Sequence, residues 1–142
     1  MFLALAFTNC KKIDSNEELK PIKKPIITTS AVKKEKKATE DCKDIEVEMG
    51  AGKECILKNT NLDLAYKNII KNKEVEETEY YLDAIPSKNK SVEVNKNGLI
   101  SIDYKIAKDK VAITMNYEGG VTEVTLDKLE NTIKKSIYHY AD

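Results

Sequence analysis

Between Ser91 and Leu126 apolar side chains recur at alternate positions in short runs separated by turn residues, a pattern that admits little besides an antiparallel sheet. Val92 and Val94 alternate, and Lys96-Asn97-Gly98 supplies Asn-Gly turn chemistry. Ile100, Ile102, Tyr104 and Ile106 alternate again, and Lys108-Asp109-Lys110 makes the next reversal. Val111, Ile113, Met115 and Tyr117 form one face of a third run, after which Glu118-Gly119-Gly120 turns into Val121–Leu126. The expectation is a four-stranded antiparallel meander.

The flanking segments read differently. Leu62, Ala65, Tyr66, Ile69 and Ile70 lie at helical spacing, with Thr60 or Asn61 as cap, so a helix is expected to about Asn72. Val75–Leu82 is ambiguous: the spacing of Glu77 and Glu79 and the Tyr80-Tyr81 pair suit a strand, the reading taken, while a continuation of the helix to Ile85, before Pro86, stays open. At the C-terminus, Leu126, Leu129, Ile133, Ile137 and Tyr140 hold one helical face, and Asp127 with Glu130 has capping-box spacing. Asp44–Met49 alternates as a strand, Gly50-Ala51-Gly52-Lys53 reads as a turn, and Cys55-Ile56-Leu57 as a return strand. The expected class is α+β: a four- to five-stranded antiparallel meander packed by a C-terminal amphipathic helix and one earlier helix, a single small domain over 42–142.

A chain of 142 residues has room for one such domain. Its 24 basic residues are all lysine and are matched by 24 acids, which removes any overall-charge argument for a nucleic-acid partner. With no arginine, an anion site would depend on lysine point charges or backbone N–H groups. The charge is uneven, however: Lys11–Glu40 holds nine lysines and five acids, leaving the rest of the chain acidic. Residues 11–41, with Pro21, Pro25 and three lysine pairs, carry few large apolar groups and read as a disordered, solvated tether.

Met1–Phe7 is an unbroken apolar run, far short of the roughly 20 residues of a membrane-spanning helix. It ends at Thr8-Asn9-Cys10 and is followed at once by Lys11-Lys12. Here the sequence resembles the end of a bacterial lipoprotein signal peptide, with Cys10 at the position of the lipidated cysteine and Phe7 where that family prefers an aliphatic residue. The resemblance covers about a dozen residues. It implies that residues 1–10 are the remnant of a signal peptide with Cys10 as lipid anchor, and that the chain is held on a membrane in the cell envelope, facing the periplasm or the exterior.

Lipidation of Cys10 would leave Cys42 and Cys55 as an even pair, as suits an exported chain. A four-residue turn over Gly50–Lys53 opposes that pairing. It would set Glu48 opposite Cys55 and leave Cys42 about 20 Å down the ladder, well beyond the Cα separation of about 7 Å that a disulfide tolerates. Either the bridge closes an irregular loop or the hairpin keeps the thiols apart, and the export argument favours the bridge.

No catalytic constellation emerges. The single histidine, His139, lies three residues from the end of the chain and reads as a solvated polar residue. One histidine with separated cysteines does not match a zinc site. Gly50-Ala51-Gly52-Lys53 resembles the tail of a P-loop, but Val47 stands where glycine is required and Glu54 where a hydroxyl is required. Glu74, Glu76, Glu77 and Glu79 lack the Asp/Asn-Gly loop of a calcium cage and read as a solvated acidic face. No cofactor and no metal are expected. Tyr80, Tyr81, Tyr138 and Tyr140 are the candidates for partner contacts, since tyrosine joins apolar area to a hydroxyl. The expected role is a non-catalytic binding module on an envelope lipoprotein, its partner an envelope protein or cell-wall component. The alternative is an inhibitor or immunity-type protein whose acidic surface covers a basic target.

Overall fold

The computed structural model describes residues 37–142, so Cys10 and positions 11–36 of the expected tether lie outside the described residues. Seven antiparallel strands form one sheet: β1 (Thr39–Val47), β2 (Gly50–Lys58), β3 (Lys90–Lys96), β4 (Leu99–Ala107), β5 (Lys110–Tyr117), β6 (Gly120–Lys128) and β7 (Thr132–Ala141). Their spatial order is β1-β2-β7-β6-β5-β4-β3. A single α-helix among the described residues, α1 (Leu62–Asn72), and one 3-10 turn, Thr78–Tyr80, lie in the connection from β2 to β3. The chain thus leaves β2, crosses to the far edge at β3, and returns hairpin by hairpin until β7 closes against β2.

Local chemistry accounts for most of these elements. The Asn61 side chain accepts from the Leu64 N–H at 2.9 Å and caps α1, whose Ala65, Tyr66 and Ile69 are buried. Strands β3 to β6 are joined by two-residue reversals at Asn97-Gly98, Lys108-Asp109 and Glu118-Gly119. Asn97 and Gly98 both have positive φ, as a tight hairpin of this kind requires. The alternate residues Val111, Ile113 and Met115 on β5 and Val124 and Leu126 on β6 are buried against the helix side.

The architecture corrects the expected α+β class. Among the described residues the sheet has seven strands rather than four or five, and there is one α-helix rather than two. The expected C-terminal helix is strand β7, paired along its length with both β2 and β6. Its inward positions are Ile133, Lys135 and Ile137, a period of two concealed by the lysine. A sheet without β7 would leave ladder groups of β2 and β6 unpaired, and that demand outweighs the helical stripe. The expected strand over Val75–Leu82 is likewise replaced by irregular chain around the 3-10 turn, with Val75, Thr78 and Tyr81 buried.

The first hairpin also differs in register. Its reversal is Glu48-Met49, Met49 having φ 58°, and Gly50 to Lys53 are strand residues of β2. Both glycines serve close approach rather than reversal. A Cβ on Gly50 would drive into the carbonyl of His139, and one on Gly52 into the ring of Tyr138.

Candidate functional site

The register of β1 on β2 places Cys42 directly opposite Cys55, and the two are joined by a disulfide with Cα atoms 4.0 Å apart. Hairpin and bridge, expected to exclude one another, coexist because the turn lies two residues earlier in the chain than Gly50. Cys42 is exposed on the sheet edge, whereas Cys55 is buried. On the same inward face lies Lys135, the ladder partner of Cys55 and 3% exposed. Its ammonium is 2.6 Å from Glu40 of β1 and pairs also with Glu74, just beyond α1. A lysine held inside a sheet needs such partners. Glu40 in turn lies 3.1 Å from Cys42 Sγ. The bridge thus ties the edge strand to β2, and the lysine with its two carboxylates ties the edge strand and the post-helix segment to β7.

The outward face of the same strands carries a second cluster. Glu54 accepts from the Tyr138 hydroxyl at 2.7 Å, lies 2.7 Å from Lys134 Nζ and 3.5 Å from Lys43 Nζ. The Lys134 hydrogen bond, then that of Tyr138, holds its carboxyl down at about 2. The same bond pushes the Tyr138 hydroxyl up, since ionisation would set two anions together. Tyr138 and Tyr140 stand two residues apart on this face with near-parallel rings, centroids 6.2 Å apart. Beneath them run Gly52 and Gly50, their ladder partners on β2. The missing side chains allow the Tyr138 ring to lie across the strand.

The other tyrosines do different work. Tyr81 is buried, stacked on Tyr66 at 6.0 Å and edge-on to Tyr104 at 6.3 Å. The Tyr66 hydroxyl donates to the Leu82 carbonyl at 2.6 Å, and Tyr104 accepts from the Leu82 N–H at 3.0 Å. Together they fasten the long connection onto the sheet. Burial raises the hydroxyl pKa of Tyr66, Tyr81, Tyr104 and Tyr117. Tyr80 is half-buried at the edge of the core. Of the four tyrosines expected at a partner surface, the fold therefore brings Tyr138 and Tyr140 together, consigns Tyr81 to the interior, and leaves Tyr80 apart from the pair.

A third feature is a groove of 660 Å³ between the segment after α1 and the end of the sheet. Glu74, Glu76, Glu77 and Glu79 line it with His139. These acids are not equivalent: Glu74 is committed to Lys135, and Glu77 accepts from the Tyr117 hydroxyl at 2.8 Å. The Nδ1 of His139 is 2.9 Å from the Thr122 hydroxyl.

Glu54, Lys135 and the paired glycines escape a reading of the sequence. Only the glycine doublet carried a local signal, and that signal is shared by turns. Among the described residues no helix is long and apolar enough to cross a membrane. No family model matches the chain, and no curated protein matches it. Among solved structures, CalU16 from Micromonospora echinospora is similar over 75% of this chain and 71% of its own, at 13% identity and a TM-score of 0.32, too distant a likeness to carry an argument.

Proposed function

We propose that this chain is an exported, membrane-anchored lipoprotein whose sheet domain is a binding module for an envelope component, with Cys10 as anchor and the outward Tyr138–Tyr140 surface as the contact. The observation that carries this reading is the Cys42–Cys55 bridge. Disulfides persist in oxidising compartments and are rare in the cytosol. Pairing these two cysteines leaves Cys10 over, which is the arithmetic of the lipobox resemblance. The binding surface is supported by two half-buried tyrosines on the face opposite the core, one pinned through its hydroxyl to Glu54 and both underlain by glycine. Rigid aromatic area with a polar rim is the composition of interface anchors.

Intact mass of the protein from the membrane fraction of its host tests the anchor. A chain beginning at Cys10 with acyl adducts, and gaining two mass units on reduction, is the expected result. An unprocessed soluble chain overturns it.

The acidic groove favours a second reading, an inhibitor of a basic protein. Four glutamates line one cavity, and this chain beyond Glu40 is acidic overall. Electrostatic capture of that kind weakens steeply with salt. A target affinity that is indifferent to salt would rule this second reading out.

A further inference from the structure

We propose that the reduced Cys42–Cys55 pair forms, with Glu40, a binding site for one thiophilic divalent cation, Zn²⁺ being the ion it fits, so that the edge hairpin can be clasped by either a disulfide or a metal. The ligand atoms of these three residues all lie within 4.8 Å of one another. A tetrahedral zinc with sulfur at about 2.3 Å and oxygen at about 2.1 Å sets neighbouring ligands roughly 3.4–3.8 Å apart. Opening the sulfur–sulfur bond lets the two Sγ atoms relax towards that separation without moving the backbone. Nine consecutive paired positions from Thr39↔Lys58 to Val47↔Gly50 hold the two residues opposite each other.

Glu40 follows from the pleat. It lies two residues before Cys42 and so projects to the same face, with Oε1 3.1 Å from Cys42 Sγ. Two thiolates and a carboxylate carry one negative charge more than a divalent ion neutralises. Lys135, 2.6 Å from the same carboxylate and buried, offsets part of it, its charge being shared with Glu74. An ammonium in that position orients the carboxylate as an outer partner of the metal. Glu40 and Cys42 are exposed on β1, so water can supply the fourth ligand.

The chemistry balances with a phosphine reductant. The phosphine takes one oxygen from water to become its oxide, the disulfide gains two electrons and two protons, and both thiol protons leave to solvent as the cation binds. The inference concerns the reduced chain alone and does not depend on where the protein is anchored.

The test uses the full-length chain bearing Cys10→Ser, with Cd²⁺ as probe because its thiolate charge-transfer absorption reports sulfur ligation directly. Reduced with phosphine under argon, the chain should bind one Cd²⁺ with that absorption, and the oxidised chain should show none. Cys42→Ser, at an exposed position, should weaken binding at least about tenfold, and Glu40→Gln by a lesser factor. Absence of thiolate absorption, or equal affinity in Cys42→Ser, would overturn the proposal. If reduction alone erases the sheet signal in circular dichroism, its return on adding Cd²⁺ supports the site, and its failure to return refutes it. Counting free thiols in the protein before any reductant separates the two proposals: a free Cys42–Cys55 pair would sink the oxidised-compartment reading and leave the metal site to be judged on Cd²⁺ alone.

Discussion

Lys135 and Glu40 form an ion pair of 2.6 Å that spans from β7 to β1 across the intervening strand β2, with the lysine side chain 4% exposed and the glutamate 42%. Glu74 pairs with the same ammonium. Removing one member of a buried pair leaves an uncompensated charge, at a cost of about 3–5 kcal/mol when both are fully buried. Here the carboxylates reach the rim and can be rehydrated. Lys135→Met, which retains the apolar stem, is therefore expected to cost less than about 2 kcal/mol, and Lys135→Ala, which adds a cavity between Ile133 and Ile137, about 3 kcal/mol. Denaturant melts of the two variants check the order, and an equal loss would show that the charge alone matters.

Gly52 and Tyr138 share one site. A methyl at Gly52 pushes the Tyr138 ring off the strand and away from Glu54. Gly52→Ala is expected to destabilise by roughly 1–2 kcal/mol through this overpacking. In a Tyr138→Ala background the same change should be nearly neutral. A double-mutant cycle measures the coupling, and additive effects would mean that the ring does not depend on the glycine.

The acid limb of stability should carry the signature of Glu54. Its folded-state value of about 2 lies below the ordinary 4.5, so the charged form favours the fold. That contribution is complete above the unfolded value and is lost as pH falls from about 5 towards 2. Glu54→Gln should flatten the pH dependence in this window and leave the slope above it unchanged. Carboxyl chemical shifts followed by NMR locate the titration directly.

In alkali the sign reverses. Tyr66, Tyr81, Tyr104 and Tyr117 are all held protonated past the ordinary value, chiefly by burial. Their contribution is present below pH 10 and declines as pH rises beyond it. Ultraviolet titration should find these four ionising together with cooperative unfolding and not before. Smooth titration of all seven tyrosines near pH 10 would contradict the packing described.

The bridge should add stability without being needed for the hairpin. Cys42 and Cys55 are 13 residues apart, and closing a loop of that order is worth about 3 kcal/mol. Cys42→Ser should lower the denaturation free energy by up to that amount while leaving the sheet spectrum intact. Collapse of the spectrum would mean that the bridge, and not the turn at Glu48-Met49, sets the register.

The sequence by itself determined the elements whose instructions are local. Alternation from Val92 to Leu126 with reversals at Asn97-Gly98 and Glu118-Gly119 specifies hairpins, because strand period and turn chemistry both reside within a few residues. Asn61 and the stripe from Leu62 to Ile70 specify α1 for the same reason. Tertiary structure decided what becomes of groups whose partners are distant. Lys135 occupies an inward position that looks polar until Glu40 and Glu74 arrive to pair with it, so β7 shows no clear alternation and its helical stripe misleads. Gly50 and Gly52 are glycines because His139 and Tyr138 come close against them, a requirement invisible from β2 alone. Whether Cys42 can reach Cys55 depends on where the turn falls, and its place at Glu48-Met49 sets the two cysteines opposite each other.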